Sequence, residues 1–148
     1  MNNRLDNELV DLCASNNLSL GALQETINLL GSRLSSQNPS FIHKACYNEN
    51  VTLEMVQLLH NIWPEALQLG DDYGSLPIHS LCTNVKLDDT NSLDILLYML
   101  SIDPTLAREV DGDDYLPIKL LLKTNLLPFA KNLSISILNH CGLNQVHR

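Results

Sequence analysis

The stretch Ser75-Leu76-Pro77-Ile78-His79-Ser80-Leu81-Cys82 decides the fold, because much of it occurs again elsewhere in the chain. Its second copy is Ser40-Phe41-Ile42-His43-Lys44-Ala45-Cys46, in which the histidine lies 36 residues earlier. Both copies contain an apolar residue, a histidine and, three residues later, a cysteine. A sequence that is similar to itself at such a distance is typical of a chain built from repeated structural units.

Two weaker copies extend the pattern to both ends of the chain. The stretch Tyr115–Leu122 follows 40 residues after the central copy, with Lys119 in place of the histidine. The stretch Leu9–Cys13 precedes the pair by 33 residues, with Val10 at that position. We therefore predict a single domain over residues 1–148, divided into four units at roughly 5–38, 39–73, 74–113 and 114–148.

The remainder of each unit is also repeated. The stretch Trp63–Leu67 returns as Asp103–Ala107, and in both cases its proline lies 13 residues before the proline of the next Leu-Pro-Ile. The units differ in length only between the cysteine and this stretch. We expect the difference to lie in a surface loop around Val85–Asn91, because loops lengthen at little entropic cost.

Local patterns predict two helices in each unit. A first helix is expected to begin at Pro77 and at Pro117, since proline suits the first position of a helix. Apolar residues at helical spacing predict the second helices: they are Leu53, Val56, Leu58 and Leu59 in one unit, and Leu93, Leu96, Leu97 and Leu100 in the next. Between units we expect polar turns at 71–74 and 111–114, with left-handed backbone at Gly74 and Asp114. The predicted fold class is all-α.

The pattern resembles the ankyrin repeat, in its divergent form found in diatoms and related algae. The resemblance lies in Leu76–His79, Phe41–Ala45 and Leu116–Ile118. It implies a solenoid of stacked helix pairs, whose first helices and turn tips form a concave groove. It also implies that the histidines cap and link adjacent units and that each cysteine replaces a small buried alanine. Val10 and Lys119 depart from this pattern, so the hydrogen bonding at their junctions is open.

Composition limits the classes of partner. The chain has 148 residues, 45% of them hydrophobic, which suits one domain with a core of its own. A formal net charge of −8 argues against nucleic acid. The polar first residues and the absence of a long apolar run predict neither a secretory signal nor a membrane association. We expect an intracellular protein, cytoplasmic or nuclear, with four reduced cysteines.

Three kinds of chemical site were considered and are not expected. Zinc is not expected at the two His-x-x-Cys pairs, because equivalent positions on packed helices lie on the order of 8–10 Å apart, whereas zinc ligands lie about 2 Å from the ion. A calcium loop that began at Asp111 would need glycine at its sixth position and glutamate at its twelfth, where this chain has Leu116 and Leu122. No phosphate loop, nucleophile elbow or metal-binding helix motif occurs, so we predict no cofactor and no enzyme activity.

The aromatic residues divide into two groups. Trp63, at the end of a leucine-rich second helix, is expected in the core. Tyr73 and Tyr115 lie at turn tips, where they are either interface residues or half-packed turn residues.

These features predict a protein-binding module that uses the concave groove and the turn tips. The acidic tips favour a partner with a basic segment. The expected binding residues are Lys44, Tyr47, Asn48, Asp71, Asp72, Tyr73, Ser80, Thr83, Asp111, Asp113, Tyr115, Lys119 and Lys123. One alternative is self-association through the apolar last unit, so that the protein is either a monomer or a weak homo-oligomer. The other is an enzyme whose site has no familiar motif.

Overall fold

The protein is all-helical over residues 7–123, which are the residues that the structure, a computed structural model, describes. This confirms the predicted all-α class for that part of the chain. The α-helices are α1 Glu8–Cys13, α2 Leu20–Leu30, α3 Phe41–Cys46, α4 Leu53–Ile62, α5 Pro77–Cys82, α6 Asp89–Ile102 and α7 Pro117–Lys123. Helices α5 and α7 begin at the predicted prolines. Cys141 and most of the predicted unit 114–148 lie outside the described residues.

Three short 3-10 helices, which we did not predict, complete the secondary structure. They span Gly31–Ser36, Pro64–Gln68 and Pro104–Arg108, and each follows a longer α-helix. In the last two, a proline occupies the first position, where its missing N–H removes no helical hydrogen bond.

The helices pack in two layers that follow chain order. Helix α1 contacts α3, α3 contacts α5, and α5 contacts α7. In the other layer α2 contacts α4, and α4 contacts α6. Helices α1, α3 and α5 also each contact the longer helix that follows in the chain. The core lies between the two layers, because both layers direct their apolar side chains there.

The short helices are the most deeply buried elements. Phe41, Ile42, Ala45 and Cys46 of α3 are all fully buried. The longer helices are buried along one side only, through the residues Met55, Val56 and Leu59 of α4 and Ile95, Leu96, Met99 and Leu100 of α6. Four of the leucines whose spacing predicted these helices, Leu53, Leu58, Leu93 and Leu97, are half-buried. Burial of a whole leucine side chain stabilises the folded state by about 1.5–3 kcal/mol relative to an exposed leucine.

Three cysteines lie inside this core as free thiols. Cys13, Cys46 and Cys82 end α1, α3 and α5, and all three are buried. Burial raises the pKa of the Cys13 thiol and of the Cys82 thiol to about 12. Burial raises the pKa of Cys46 further still. The expectation that these cysteines act as small buried hydrophobic residues is confirmed.

The length difference between units lies in a helix, so the expected loop insertion is wrong. Helix α4 begins seven residues after the last residue of α3, and α6 begins seven residues after the last residue of α5. The four extra residues lengthen α6, which has 14 residues against 10 in α4. Since an α-helix has 3.6 residues per turn, the insertion adds about one turn.

Trp63 only partly fulfils its predicted place in the core. It is half-buried at the end of α4, and its ring packs edge-on against Phe41 at 5.7 Å between centroids. Its exposed side lines a shallow apolar hollow with Leu34 and Ile62.

Candidate functional site

Two tight turns with the same hydrogen bonds form the tips of the molecule. In hairpin 71–75, the Asp71 N–H donates to the Ser75 carbonyl at 2.9 Å, and the Gly74 N–H donates to the Asp71 carbonyl at 3.0 Å. Hairpin 111–115 repeats both bonds at 3.0 Å. In each, the aspartate Oδ1 accepts two more N–H groups at 2.9 Å. The first aspartate therefore builds the turn in both hairpins.

Backbone conformation and close packing explain the glycines of the tips. Gly74 has φ 77° and its counterpart Asp114 has φ 65°, so both adopt the predicted left-handed backbone. Gly112 packs directly on the other hairpin: a Cβ at this position would overlap the carbonyl oxygen of Tyr73. The two tips thus contact each other through their backbones.

Each central histidine links its helix to the linker that follows. The Leu76 N–H donates to Nδ1 of His79 at 2.9 Å, so Nε2 carries the proton and donates to the Glu109 carbonyl at 2.9 Å. The resemblance implies that this histidine links adjacent units, but its bond joins α5 to Glu109, which belongs to the same predicted unit, 74–113.

His43 makes the same link with one bond missing. Its Nε2 donates to the carbonyl oxygens of Leu69, at 2.9 Å, and Ser75, at 3.0 Å. Its Nδ1 is buried without a hydrogen-bond partner, because the Ser40 N–H donates to the Asn38 side chain instead. Burial lowers the pKa of His43, and the nearby Asp71 carboxylate opposes this shift.

The first junction, where Val10 replaces histidine, uses a different residue. Gln37 is buried in the following linker, and its Oε1 accepts the Leu9 N–H at 3.0 Å. A side chain of the linker therefore reaches back to α1. The matching junction after Lys119 lies beyond residue 123, outside the described residues.

The side-chain amides of Asn48 and Asn84 bond backbone carbonyl groups that lie 33 to 38 residues earlier in the chain. The Asn48 side-chain amide donates to the carbonyl oxygens of Cys13 and Ser15 at 2.9 and 2.7 Å. The Asn84 amide donates to the carbonyl oxygens of Cys46 and Asn48 at 3.0 and 3.1 Å. Asn48 was predicted as a binding residue, and its amide is already engaged in this internal link.

A concavity that we call the main cleft lies between the start of α3 and hairpin 71–75. Its volume is about 350 Å³. Six of the predicted binding residues line it: Lys44, Tyr47, Asp71, Asp72, Tyr73 and Ser80. The other lining residues are Asn38, Pro39, Ser40, His43, Leu69 and Gly70. Tyr47 and Tyr73 are 63% and 81% exposed, so two large rings border this cleft in contact with water.

Tyr47 connects the main cleft to two further clefts. One lies beside Asn48, Asn84 and Val85, and the other lies between Asp71, Thr83 and Asp111. Tyr47 lines both of them as well as the main cleft. The three clefts therefore meet at one exposed aromatic ring, at the end of α3.

The remaining predicted residues lie outside these three clefts. They are Asp113, Tyr115, Lys119 and Lys123. Tyr115 is half-buried, and Nζ of Lys123 lies 4.1 Å from its ring centroid, so that its ring face is covered. Asp113 and Lys119 are exposed.

Sequence reasoning missed several lining residues. The segment Asn38–Ser40 and His43 line the main cleft, and Val85 and Lys86 line the cleft beside Asn84. The available signals were Pro39 in the first segment and, in the second, the position of Val85 and Lys86 in the loop after Cys82. His43 had been assigned to a purely internal link.

Within residues 7–123, no three His, Cys, Asp or Glu side chains are grouped closely enough to hold a metal ion. In the same part of the chain, no helix has the length and apolar character needed to span a bilayer.

The chain matches no model of a known protein family, and a search of curated proteins returns no match.

Proposed function

We propose that this chain is a stack of ankyrin-like units and that it binds a partner protein through the face that carries the three clefts. It acts inside the cell as an interaction module and not as an enzyme. The segments that resemble ankyrin repeats form the short helices and the turns before them, so the proposed binding face consists of the same elements that suggested the family.

Three observations support the stack. The short helices contact one another in chain order, and so do the longer helices. The two hairpins share all their hydrogen bonds and contact each other through Gly112. The His43 bond to Ser75 reaches forward into the next unit, and the bonds of Asn48 and Asn84 reach back into the preceding one. A chain in which each unit contacts its neighbours in this way is characteristic of repeat architectures.

The observation that carries the binding proposal is the pair of exposed tyrosines at the main cleft. Tyrosine is enriched at protein interfaces, because it supplies a large apolar surface together with a hydroxyl group. Rings that border a concavity lose contact with water when a partner fills it, which is the position of most binding hot spots. Tyr47 and Tyr73 occupy such positions, whereas the ring face of Tyr115 is already covered.

The charge of the tips indicates the kind of partner. Asp71 and Asp72 line the main cleft, and the whole chain carries a formal net charge of −8. A basic segment is therefore attracted to this face, and its association is faster at low ionic strength.

The test compares partner capture by three forms of the protein. The wild type is compared with Tyr47→Ala/Tyr73→Ala and with a control, Leu29→Ala/Ile102→Ala, which removes exposed apolar side chains outside the clefts. Asp111 is left intact because its Oδ1 holds the hairpin. We expect partners that the wild type and the control retain and that the tyrosine variant loses, with equal thermal stability of all three.

Two results would contradict the proposal. Partners that the tyrosine variant retains would place the interface elsewhere. Light scattering in which the mass of all three forms rises equally with concentration, without captured partners, would support the self-association alternative instead.

A further inference from the structure

The main cleft exists because one side of hairpin 71–75 is not covered by another hairpin. On the side of α7, hairpin 111–115 packs against it through Gly112. On the side of α3, the chain enters the helix through the short segment Asn38–Ser40, and the main cleft lies between this segment and the hairpin. One side of the hairpin is therefore packed and the other is open.

Asp72 lines this open side. The matching hydrogen bonds place Asp72 at the position that Gly112 occupies in the next hairpin. There, glycine is needed because a Cβ would overlap the carbonyl of the preceding tip. A hairpin of the same shape cannot pack on the open side in the same way, since Asp72 has a Cβ and a carboxylate. The occupant of the cleft is therefore chemically different from a further tip.

The lining of the cleft matches one amino-acid side chain best. Asp72 offers an exposed carboxylate, and Tyr73 offers an exposed ring beside it. A guanidinium group bonds a carboxylate through two N–H groups and stacks on an aromatic face. Lysine can also lie over an aromatic ring, but its ammonium group cannot bond a carboxylate through two N–H groups in one plane. The molecule already has one cation on a tyrosine, Lys123 over Tyr115.

We propose that the main cleft binds an arginine side chain of the partner, with its guanidinium group between the Asp72 carboxylate and the Tyr73 ring. This inference rests on the proposed function and names the partner chemistry at that face. Asp71 is less available, because its Oδ1 already accepts two backbone N–H groups. Lys44, which also lines the cleft, repels the cation and so favours its placement on the hairpin side.

The test uses small probes observed by amide chemical shifts. Nα-acetyl-arginine amide is titrated into the protein beside the citrulline and lysine analogues, which remove the charge and the guanidinium plane respectively. We expect saturable shifts at Asp72, Tyr73 and Tyr47 with the arginine probe only. Asp72→Asn should weaken this binding by roughly tenfold, as for a lost charge-assisted hydrogen bond. Asp94→Asn, an equal charge change on the exposed side of α6, should leave it unchanged.

Three outcomes would overturn the arginine inference. They are equal shifts with citrulline or lysine, equal weakening by Asp94→Asn, and an absence of saturable shifts. This failure is distinguishable from failure of the proposed function. A partner that is lost by the tyrosine variant but bound normally by Asp72→Asn would keep the binding module and remove the arginine site.

Discussion

Asp114 is the one non-glycine residue with left-handed backbone within residues 7–123. Its counterpart in the other hairpin is Gly74, at which a side chain would be strained for the same reason. Left-handed backbone raises the conformational free energy of a residue with a Cβ by roughly 1–2 kcal/mol, and by somewhat less for aspartate. The second hairpin is therefore held against a small conformational cost, which the four hydrogen bonds of the turn offset.

Asp114→Gly should stabilise the protein by about 0.5–1 kcal/mol, because glycine adopts φ 65° without a steric cost. Urea unfolding monitored by circular dichroism measures the change in midpoint. The control is Gly74→Ala, which should destabilise the protein, since it introduces a Cβ at φ 77°. A lower midpoint for Asp114→Gly would mean that the carboxylate makes a stabilising contact of its own.

His43 makes folding stability depend on pH. Its pKa in the folded state is lowered by burial, so below about pH 6.5 the unfolded chain binds a proton that the folded chain does not. The stabilisation that His43 contributes to the free energy of unfolding is therefore complete above its pKa in the unfolded chain. It decreases as the pH falls toward its pKa in the folded protein. The slope is at most about 1.4 kcal/mol per pH unit.

The free energy of unfolding should therefore decrease between pH 7 and pH 5 more steeply in the wild type than in His43→Gln. Urea unfolding at each pH gives both curves, and their difference removes the contributions of the other histidines. A difference that stays constant over this range would show that His43 does not titrate differently on folding. Asp71 and Lys44 act on His43 in opposite directions and remain present in both proteins.

Residue-scale features were predictable when their cause was local. The left-handed positions followed from the turn sequence, and the start of α5 followed from Pro77. The covered ring of Tyr115 was not predictable, because the covering side chain is Lys123, at the end of the next helix. The unpaired Nδ1 of His43 also depends on a competing bond to Asn38.

At the scale of elements, the longer helix α6 shows where this chain tolerates insertion. The insertion leaves the cysteine-to-helix spacing unchanged, so the first turn of α6 keeps its place relative to α5. Its N-cap Asp88 accepts the Asn91 N–H at 2.9 Å, just as Thr52 caps α4. The sequence did not reveal this, because four extra residues in a loop and four in a helix give the same spacing of motifs.

Asn84→Ala should destabilise the protein by about 2 kcal/mol. It leaves the carbonyl oxygens of Cys46 and Asn48 without this donor, and buried polar groups that lose a partner cost about 1–3 kcal/mol. Denaturant unfolding measures the loss. Asn61→Ala, an exposed asparagine on α4, is the matched control and should change stability by less than about 0.5 kcal/mol. Equal effects would mean that the Asn84 bonds do not hold the units together.

The whole molecule is joined by packing and by hydrogen bonds between residues 26 to 38 positions apart. The repeated motif is visible without a structure, and the all-α class that it predicts is confirmed over residues 7–123. The sequence could not predict the link made by Asn48, since an amide has the same appearance whether it faces a partner or an earlier part of its own chain.

Labelling of the three buried cysteines with a thiol reagent measures how cooperatively the protein unfolds. In Cys141→Ser, which removes the thiol outside the described residues, Cys13, Cys46 and Cys82 should react with a thiol reagent only when the protein unfolds. Their labelling should be on the order of a thousandfold slower than that of an exposed thiol introduced by Asn61→Cys. Mass spectrometry of quenched samples measures each site. Fast labelling of Cys82 alone would mean that its part of the core opens independently.

The opposite directions of the histidine and asparagine bonds bear on how such a chain grows and shortens. The segment 39–73 contains both His43 and Asn48, which bond Ser75 after the segment and Cys13 before it. A duplicate of that segment, inserted in frame, would arrive with its own complete set of attachments. Gene duplication can therefore lengthen this protein without inventing a contact, whereas loss of half a segment leaves groups that no remaining residue satisfies.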